Sequence, residues 1–227
     1  MVTRDTAVGR DAELAVLEEE LSGARAGLVL VVGEPRIGKS HLLRALRWQA
    51  AARGTVVVPE DADSDGEWVS VDKQMTIEDF RRKITSRLGS IGSHRDELGP
   101  EGVHLVLVYG YRPHDEFHAW FTHEFVPGLA DGTPRRVVVV SGTAPDLANL
   151  APLAHRQIFL GPLPRAPVVA ELRALNERLA DRMSDVELQA YADAVTTDPG
   201  LLDAFIHLLP MTGDRTTGAG KRGDDSG

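Results

Sequence analysis

Eight consecutive residues, Gly33-Glu34-Pro35-Arg36-Ile37-Gly38-Lys39-Ser40, have the types and spacing needed to hold phosphate. They satisfy G-x-x-x-x-G-K-[ST]. Glycines at both ends let the backbone curl without Cβ clashes, so that successive N–H groups point inward as an anion nest. Lys39 is spaced to reach the β- and γ-phosphates, and the Ser40 hydroxyl to ligate Mg²⁺. A helix starting near Lys39 adds the positive end of its dipole. A plain glycine turn with a solvated lysine has the same local composition, so the flanks decide. Leu28-Val29-Leu30-Val31-Val32 precedes the loop and reads as a strand buried on both faces. Leu42, Leu43 and Leu46 follow at helical spacing as far as Arg53-Gly54. Strand, loop and helix together are the context that the motif requires.

Other elements must position this loop. Leu14, Leu17 and Leu21 share one face of a predicted helix that Asp11 is placed to cap. Further strands are expected at 55–58, 103–108, 137–140 and 158–160, alternating with helices. One helix opens at the capping-box pattern Thr76-Ile77-Glu78-Asp79 and closes at Gly89; another spans 115–125, with Phe117, Trp120, Phe121 and Phe125 inward. The expectation is an α/β fold: a five-stranded, mostly parallel sheet sandwiched by helices. After Gly161-Pro162-Leu163-Pro164 the alternation gives way to three helical patterns, one opened by Ser184-Asp185-Val186-Glu187 and one by Asp198-Pro199. The predicted organisation is a nucleotide-binding core over 1–162, a small helical lid over 163–210 and a disordered tail over 211–227.

Composition narrows the function. Of the 227 residues 42% are hydrophobic and 26% charged, which is ordinary for a soluble globular protein. No apolar run approaches the length of a membrane span, and no secretory leader pattern opens the chain. The absence of cysteine excludes disulfides and thiolate metal sites and fits a cytoplasmic setting. A net charge of −9 argues against broad nucleic-acid binding. The acidic run from Glu60 to Glu67 lacks the spacing of a Ca²⁺ loop and reads as a solvated segment. His114 and His118 stand four residues apart, yet Asp115 occupies the place of the glutamate in H-E-x-x-H; surface histidines beside an aromatic face are the simpler reading.

Taken together, Val8-Gly9-Arg10-Asp11-Ala12-Glu13-Leu14, the loop 33–40 and His41-Leu42-Leu43-Arg44 resemble the signal-transduction ATPases with numerous domains (the STAND class), relatives of the AAA ATPases. Asp198-Pro199-Gly200-Leu201-Leu202 looks like a worn form of the late G-N-P-L-x-L element of that family. The resemblance implies ATP and Mg²⁺ as ligands, with Val8, Gly9 and Arg10 near the adenine. It also implies contacts from Gly33, Glu34, Pro35, Arg36, Ile37, Gly38, Lys39, Ser40 and His41, and Ser40 as the Mg²⁺ ligand. It implies a switch in which nucleotide sets the position of the lid, acting on a partner protein or through self-association.

The sequence departs from the family in three places. Val106-Leu107-Val108 runs into Tyr109-Gly110-Tyr111, where one or two carboxylates are expected for Mg²⁺ and water. Asp115 and Glu116, a few residues on, are the candidate substitutes. Arg36 stands where glycine is frequent, and a guanidinium there has the geometry to take a γ-phosphate. Val140-Ser141-Gly142-Thr143 lacks the γ-phosphate-sensing arginine; Ser141 or Thr143 offers one neutral hydrogen bond instead. The expected function is therefore an ATP-binding switch with slow or absent hydrolysis. The alternatives are a competent ATPase using Asp115 and Glu116, a small-molecule kinase, and a scaffold that keeps only the shape of the loop.

Overall fold

An apolar run without alternation can form a strand only where both faces are covered. Leu28 to Val32 meet that condition in β1 (Gly27–Gly33), the strand around which the others are arranged. The computed structural model describes residues 7–58, 69–90, 103–130, 135–179 and 182–207. In it β1 lies between β5 (Arg135–Gly142) and β6 (Arg156–Leu160), and β4 (Val103–Tyr109) lies beyond β5. The far edge is shared by β2 (Val56–Val58) and β3 (Val69–Ser70), which pair with successive parts of β4. The order is β2-β4-β5-β1-β6, and every pairing is parallel. The chain leaves β1 toward one edge, returns through β4 and β5, and then crosses to β6. That reversal opens a crevice at the carboxyl ends of β1 and β5, the ordinary place for a ligand in an open parallel sheet.

Strand periodicity sends alternate residues to opposite faces. Val29 and Val31 of β1, with Val137 and Val139 of β5, pack under α1 (Asp11–Ser22) and α2 (Lys39–Ala52). Leu28 and Leu30, with Val138 and Val140, pack under α3 (Ile77–Ser90), α4 (Asp115–Trp120) and α5 (Ala144–Leu147). The rings of Phe80, Phe117, Trp120 and Phe121 meet edge-on or stacked in this second layer. Three helices finish the described chain: α6 (Arg165–Asn176), α7 (Asp185–Thr197) and α8 (Gly200–His207). They enclose an apolar cluster of their own that includes Leu163, Val168, Leu172, Val195 and Phe205. Ser184 and Glu187 form the expected capping box at the start of α7.

The structure amends several local expectations. Asp11 does not cap α1: Arg10 holds the N-cap position without a side-chain bond, and Asp11 sits in the first turn, where its charge faces the dipole. The helix expected over 115–125 changes hydrogen-bond pattern at Phe121 and continues to Phe125 as a π-helix. The wider turn allows Phe117, Phe121 and Phe125 to converge on Phe80, and the Thr122 hydroxyl bonds the carbonyls of His118 and Ala119. The two-residue β3 and the short α5 were not anticipated. The acidic run 60–67 and the tail 211–227 lie outside the described residues; the polar stretch expected as a linker over 90–102 does too, except Ser90, which ends α3.

Leu30 is fully buried at the centre of β1. Leu30→Ala is expected to lower the unfolding free energy by about 2–5 kcal/mol in a denaturant titration. Leu153→Ala, at a site 40% exposed, should change it by less than about 0.5 kcal/mol.

Candidate functional site

Between Gly33 and Lys39 the chain must turn from strand into helix, and it does so with positive φ at Arg36 (66°) and Gly38 (93°). Gly33 has a separate reason to lack a side chain, since a Cβ there would lie 2.7 Å from Ile37 Cγ2. Arg36 adopts the left-handed region at a cost of about 1–2 kcal/mol. The loop then delivers Lys39 as the first residue of the 14-residue α2, at the positive end of that helix.

The Lys39 ammonium donates to the carbonyls of Gly33 at 2.8 Å and Glu34 at 2.7 Å, using two of its three N–H bonds. Its burial holds the pKa below the ordinary lysine value, opposed in part by the charges of Glu34 and Asp146. Ser40 lies in the next position, on the wall of a cleft of about 460 Å³ shared with Arg36, Lys39, His41, Arg44 and Tyr109. The opposite wall is Asp198, Pro199, Gly200 and Leu201 at the start of α8. Arg36 forms an ion pair with Asp198 across the cleft. Pro199 sits so close to the loop that a Cβ on Gly38 would come within 3.3 Å of its Cγ.

Val8, Gly9 and Arg10 come to the same place from the other side. Arg10 is 3% exposed. Its guanidinium donates to the Ile37 carbonyl of the loop at 2.9 Å, to the Gly161 carbonyl after β6 at 2.5 Å, and to Glu13 at 3.0 Å. Gly9 has φ 69°, and a Cβ there would meet Pro164 Cδ at 3.2 Å. Val8, Arg10, Gly38 and His41 line a second, much smaller cavity with Leu163, Pro199 and Leu202. At about 10 Å³ it has space for one water molecule at most.

The remaining candidates distribute unevenly. Glu34, Pro35 and Arg36 are exposed on the loop, and Ile37 is buried beneath it. Tyr109 ends β4 at the position where the family's carboxylate is expected, and its neighbour in register is Ser141. Asp115 and Glu116 stand exposed in the first turn of α4, and neither lines the cleft. Ser141 is fully buried and donates to the Val108 carbonyl, while the Thr143 hydroxyl caps α5 and donates to Asp146 at 2.6 Å. Both hydroxyls are therefore engaged within the protein.

His114 does not join His118 in a metal site. Its Nδ1 accepts from the Phe117 N–H and its Nε2 faces the Met75 carbonyl at 3.2 Å, a pattern that puts the proton on Nε2. His118 Nδ1 is 3.0 Å from the Tyr111 hydroxyl. Among the described residues no three His, Cys, Asp or Glu side chains gather as metal ligands.

Two residues acquire importance that the sequence did not assign. The sequence offers Asp198 as a helix cap, and in the structure its carboxylate pairs with Arg36 of the loop. Asp146 was not considered, although Thr143-Ala144-Pro145-Asp146 after a strand is a T-x-x-D capping pattern. Burial raises the Asp146 pKa, but hydrogen bonds from Thr143 and Arg112 and the Arg112 charge outweigh it and hold the carboxyl below its usual value.

No family model and no curated protein matches the chain. Solved structures do. Domain III of the replication initiation protein DnaA from Thermotoga maritima is 14% identical, with TM-score 0.50, over 88% of this chain and 82% of that one. AMPPCP-bound DnaA from Aquifex aeolicus is 15% identical, with TM-score 0.51, over 92% of this chain and 63% of that one. A STAND protein with a tetratricopeptide repeat sensor from Pyrococcus horikoshii is 16% identical, with TM-score 0.53, over 88% of this chain and 29% of that one. The chain thus spans less than two thirds of the Aquifex structure and less than a third of the Pyrococcus one. Its parallel sheet, the loop after β1 and the flanking helices are those of the P-loop NTPase fold.

Proposed function

We propose that the chain is an ATP-binding switch module of the AAA and STAND type, with slow or absent hydrolysis, whose helical lid acts on a partner protein. The observation that carries this reading is the position of Arg10. One buried guanidinium bonds both the loop, at Ile37, and the hinge that leads into the lid, at Gly161. A change in the loop on binding phosphate is therefore transmitted to the hinge through a single side chain.

The residues fit a nucleoside triphosphate in their donor chemistry. Lys39, the N-terminus of α2 and the glycine turn supply a buried cation, a helix dipole and an open backbone. Ser40 lines the cleft, which supports its hydroxyl as a ligand for Mg²⁺ that would neutralise charge on the phosphates. The apolar cavity beside Val8 has the composition of a base slot, and Leu163, Pro199 and Leu202 close it. A base enters only if these residues move outward, and that requirement supplies the differential contacts a switch needs. Tyr109 at the end of β4, with Asp115 and Glu116 away from the cleft, supports weak turnover over the ATPase reading. Phe159, 69% exposed on β6, is the largest apolar side chain left on the surface among the described residues and gives a partner a place to dock.

Calorimetric titration of the full chain with Mg·ATP should show binding that Lys39→Ala lowers by at least about tenfold, with little phosphate released by the same samples. Steady release dependent on Lys39 would restore the ATPase; absence of binding by folded protein would leave the scaffold. Arg10→Met should leave the Ile37 and Gly161 carbonyls without their donor, costing on the order of 1–3 kcal/mol each. It should also make tryptic cleavage after Arg165 independent of Mg·ATP, whereas in the wild type nucleotide changes the cleavage rate.

A further inference from the structure

The cation of the phosphate loop that faces solvent already has an anionic partner, and that partner belongs to the lid. Arg36 lies at the crest of the loop with φ 66°, and its guanidinium pairs with the Asp198 carboxylate. Asp198 is held firmly: its N–H bonds the Ala194 carbonyl at the end of α7, and its own carbonyl accepts from Leu201 at the start of α8. Pro199, next in the chain, is buried against Gly38, and Leu202 one turn later closes the small cavity beside Val8. The hinge is tied to the same segment, since the Leu163 N–H donates to Thr196 O at 2.8 Å. The Asp198 carboxylate meets Nη2, and a phosphate drawn to that edge of the guanidinium competes with it for the same donors.

We propose that Arg36 and Asp198 form an exchange latch, in which the lid carboxylate occupies the place on Arg36 that a nucleotide's terminal phosphate takes when the lid is displaced. This rests on the nucleotide-binding reading above and adds the residue pair that couples phosphate to lid. The latch makes Arg36 a discriminator of nucleotide state. A triphosphate reaches far enough to compete for the guanidinium, and a diphosphate leaves the Asp198 pair in place. The pair is solvent-accessible on the Arg36 side, so its contribution is modest and reversible, as a switch requires.

The test uses the full chain and three variants: Asp198→Asn, Arg36→Gln and the charge swap Arg36→Asp with Asp198→Arg. Aspartate is among the residues that tolerate positive φ at position 36. Hydrogen exchange of the segment 196–202 is read without nucleotide, and Mg·ATP and Mg·ADP affinities by calorimetry. Asp198→Asn should exchange about two- to fivefold faster and bind Mg·ATP about two- to fivefold tighter, with Mg·ADP affinity unchanged. Arg36→Gln should exchange equally fast without gaining affinity. The charge swap should restore slow exchange while binding Mg·ATP more weakly than the wild type. Wild-type exchange rates in Asp198→Asn, or a swap that exchanges as fast as the single variants, would overturn the latch. Equal tightening for ATP and ADP would overturn the discrimination. Failure of the wild type to bind either nucleotide would instead defeat the nucleotide reading, and exchange rates alone would then decide whether the lid is latched.

Discussion

The buried guanidinium of Arg10 is the constraint on which the arrangement of the site depends. Removing a cation from water is costly unless hydrogen bonds and an opposite charge replace the solvent. Here Glu13 supplies the charge, and the Ile37 and Gly161 carbonyls supply acceptors. Its Nε still lacks a partner, so the replacement is incomplete. Such an arrangement persists because three segments far apart in sequence converge on it. The N-terminal stretch, the loop after β1 and the exit from β6 cannot shift independently without leaving a charge or a carbonyl unsatisfied. That links the loop mechanically to the start of the C-terminal helices.

Close approach explains the rest of the local design. Gly33 passes within contact of Ile37 and Leu160, Gly9 within contact of Pro164, and Gly38 within contact of Pro199. In each case the neighbour belongs to the turn itself, to the end of β6 or to the segment after β6. A side chain at any of them would push one layer off another. The glycines of the motif are usually explained by the room that phosphates need. In this chain Gly9 and Gly38 are required by the fit of the N-terminal stretch and the loop against the C-terminal helices.

How much of this could be read from the sequence depends on how local the cause was. β1, the turn and α2 were legible because apolar run, glycine spacing and helical periodicity all lie within 25 consecutive residues. The strands at 103–109 and 135–142 were legible for the same reason, and the capping box at Ser184 because its two bonds span one turn. Strand order was not, since pairings such as Leu28 with Val138 are set by covering both sheet faces at once. The π-helix at 121–125 was hidden because an aromatic residue every fourth position suits an α-helix equally well until the position of Phe80 is known. The resemblance singled out the segments that hold Arg10 and Asp198 but not their partners. Their bonds, to Ile37 and Gly161 in one case and to Arg36 in the other, join residues 27 to 162 positions apart and carry no local signature.

The distribution of charge around the cleft bears on what chemistry it suits. Lys39, Arg36 and Arg44 gather at its floor and walls, and the carboxylate among the described lining residues is Asp198, which is already neutralised by Arg36. Cations hold phosphate in place and stabilise charge as it develops, but they do not take a proton from water. Hydrolysis needs an acceptor within hydrogen-bond reach of the attacking water, and β4 ends in Tyr109, a phenol in place of a carboxylate. Asp146 is, with Glu34, one of the carboxylates whose charge acts on Lys39, and its Oδ2 accepts from both Thr143 and Arg112. A site so furnished suits the switch we propose, in which occupancy outweighs turnover and the output is the position of the lid, set by whichever anion holds Arg36.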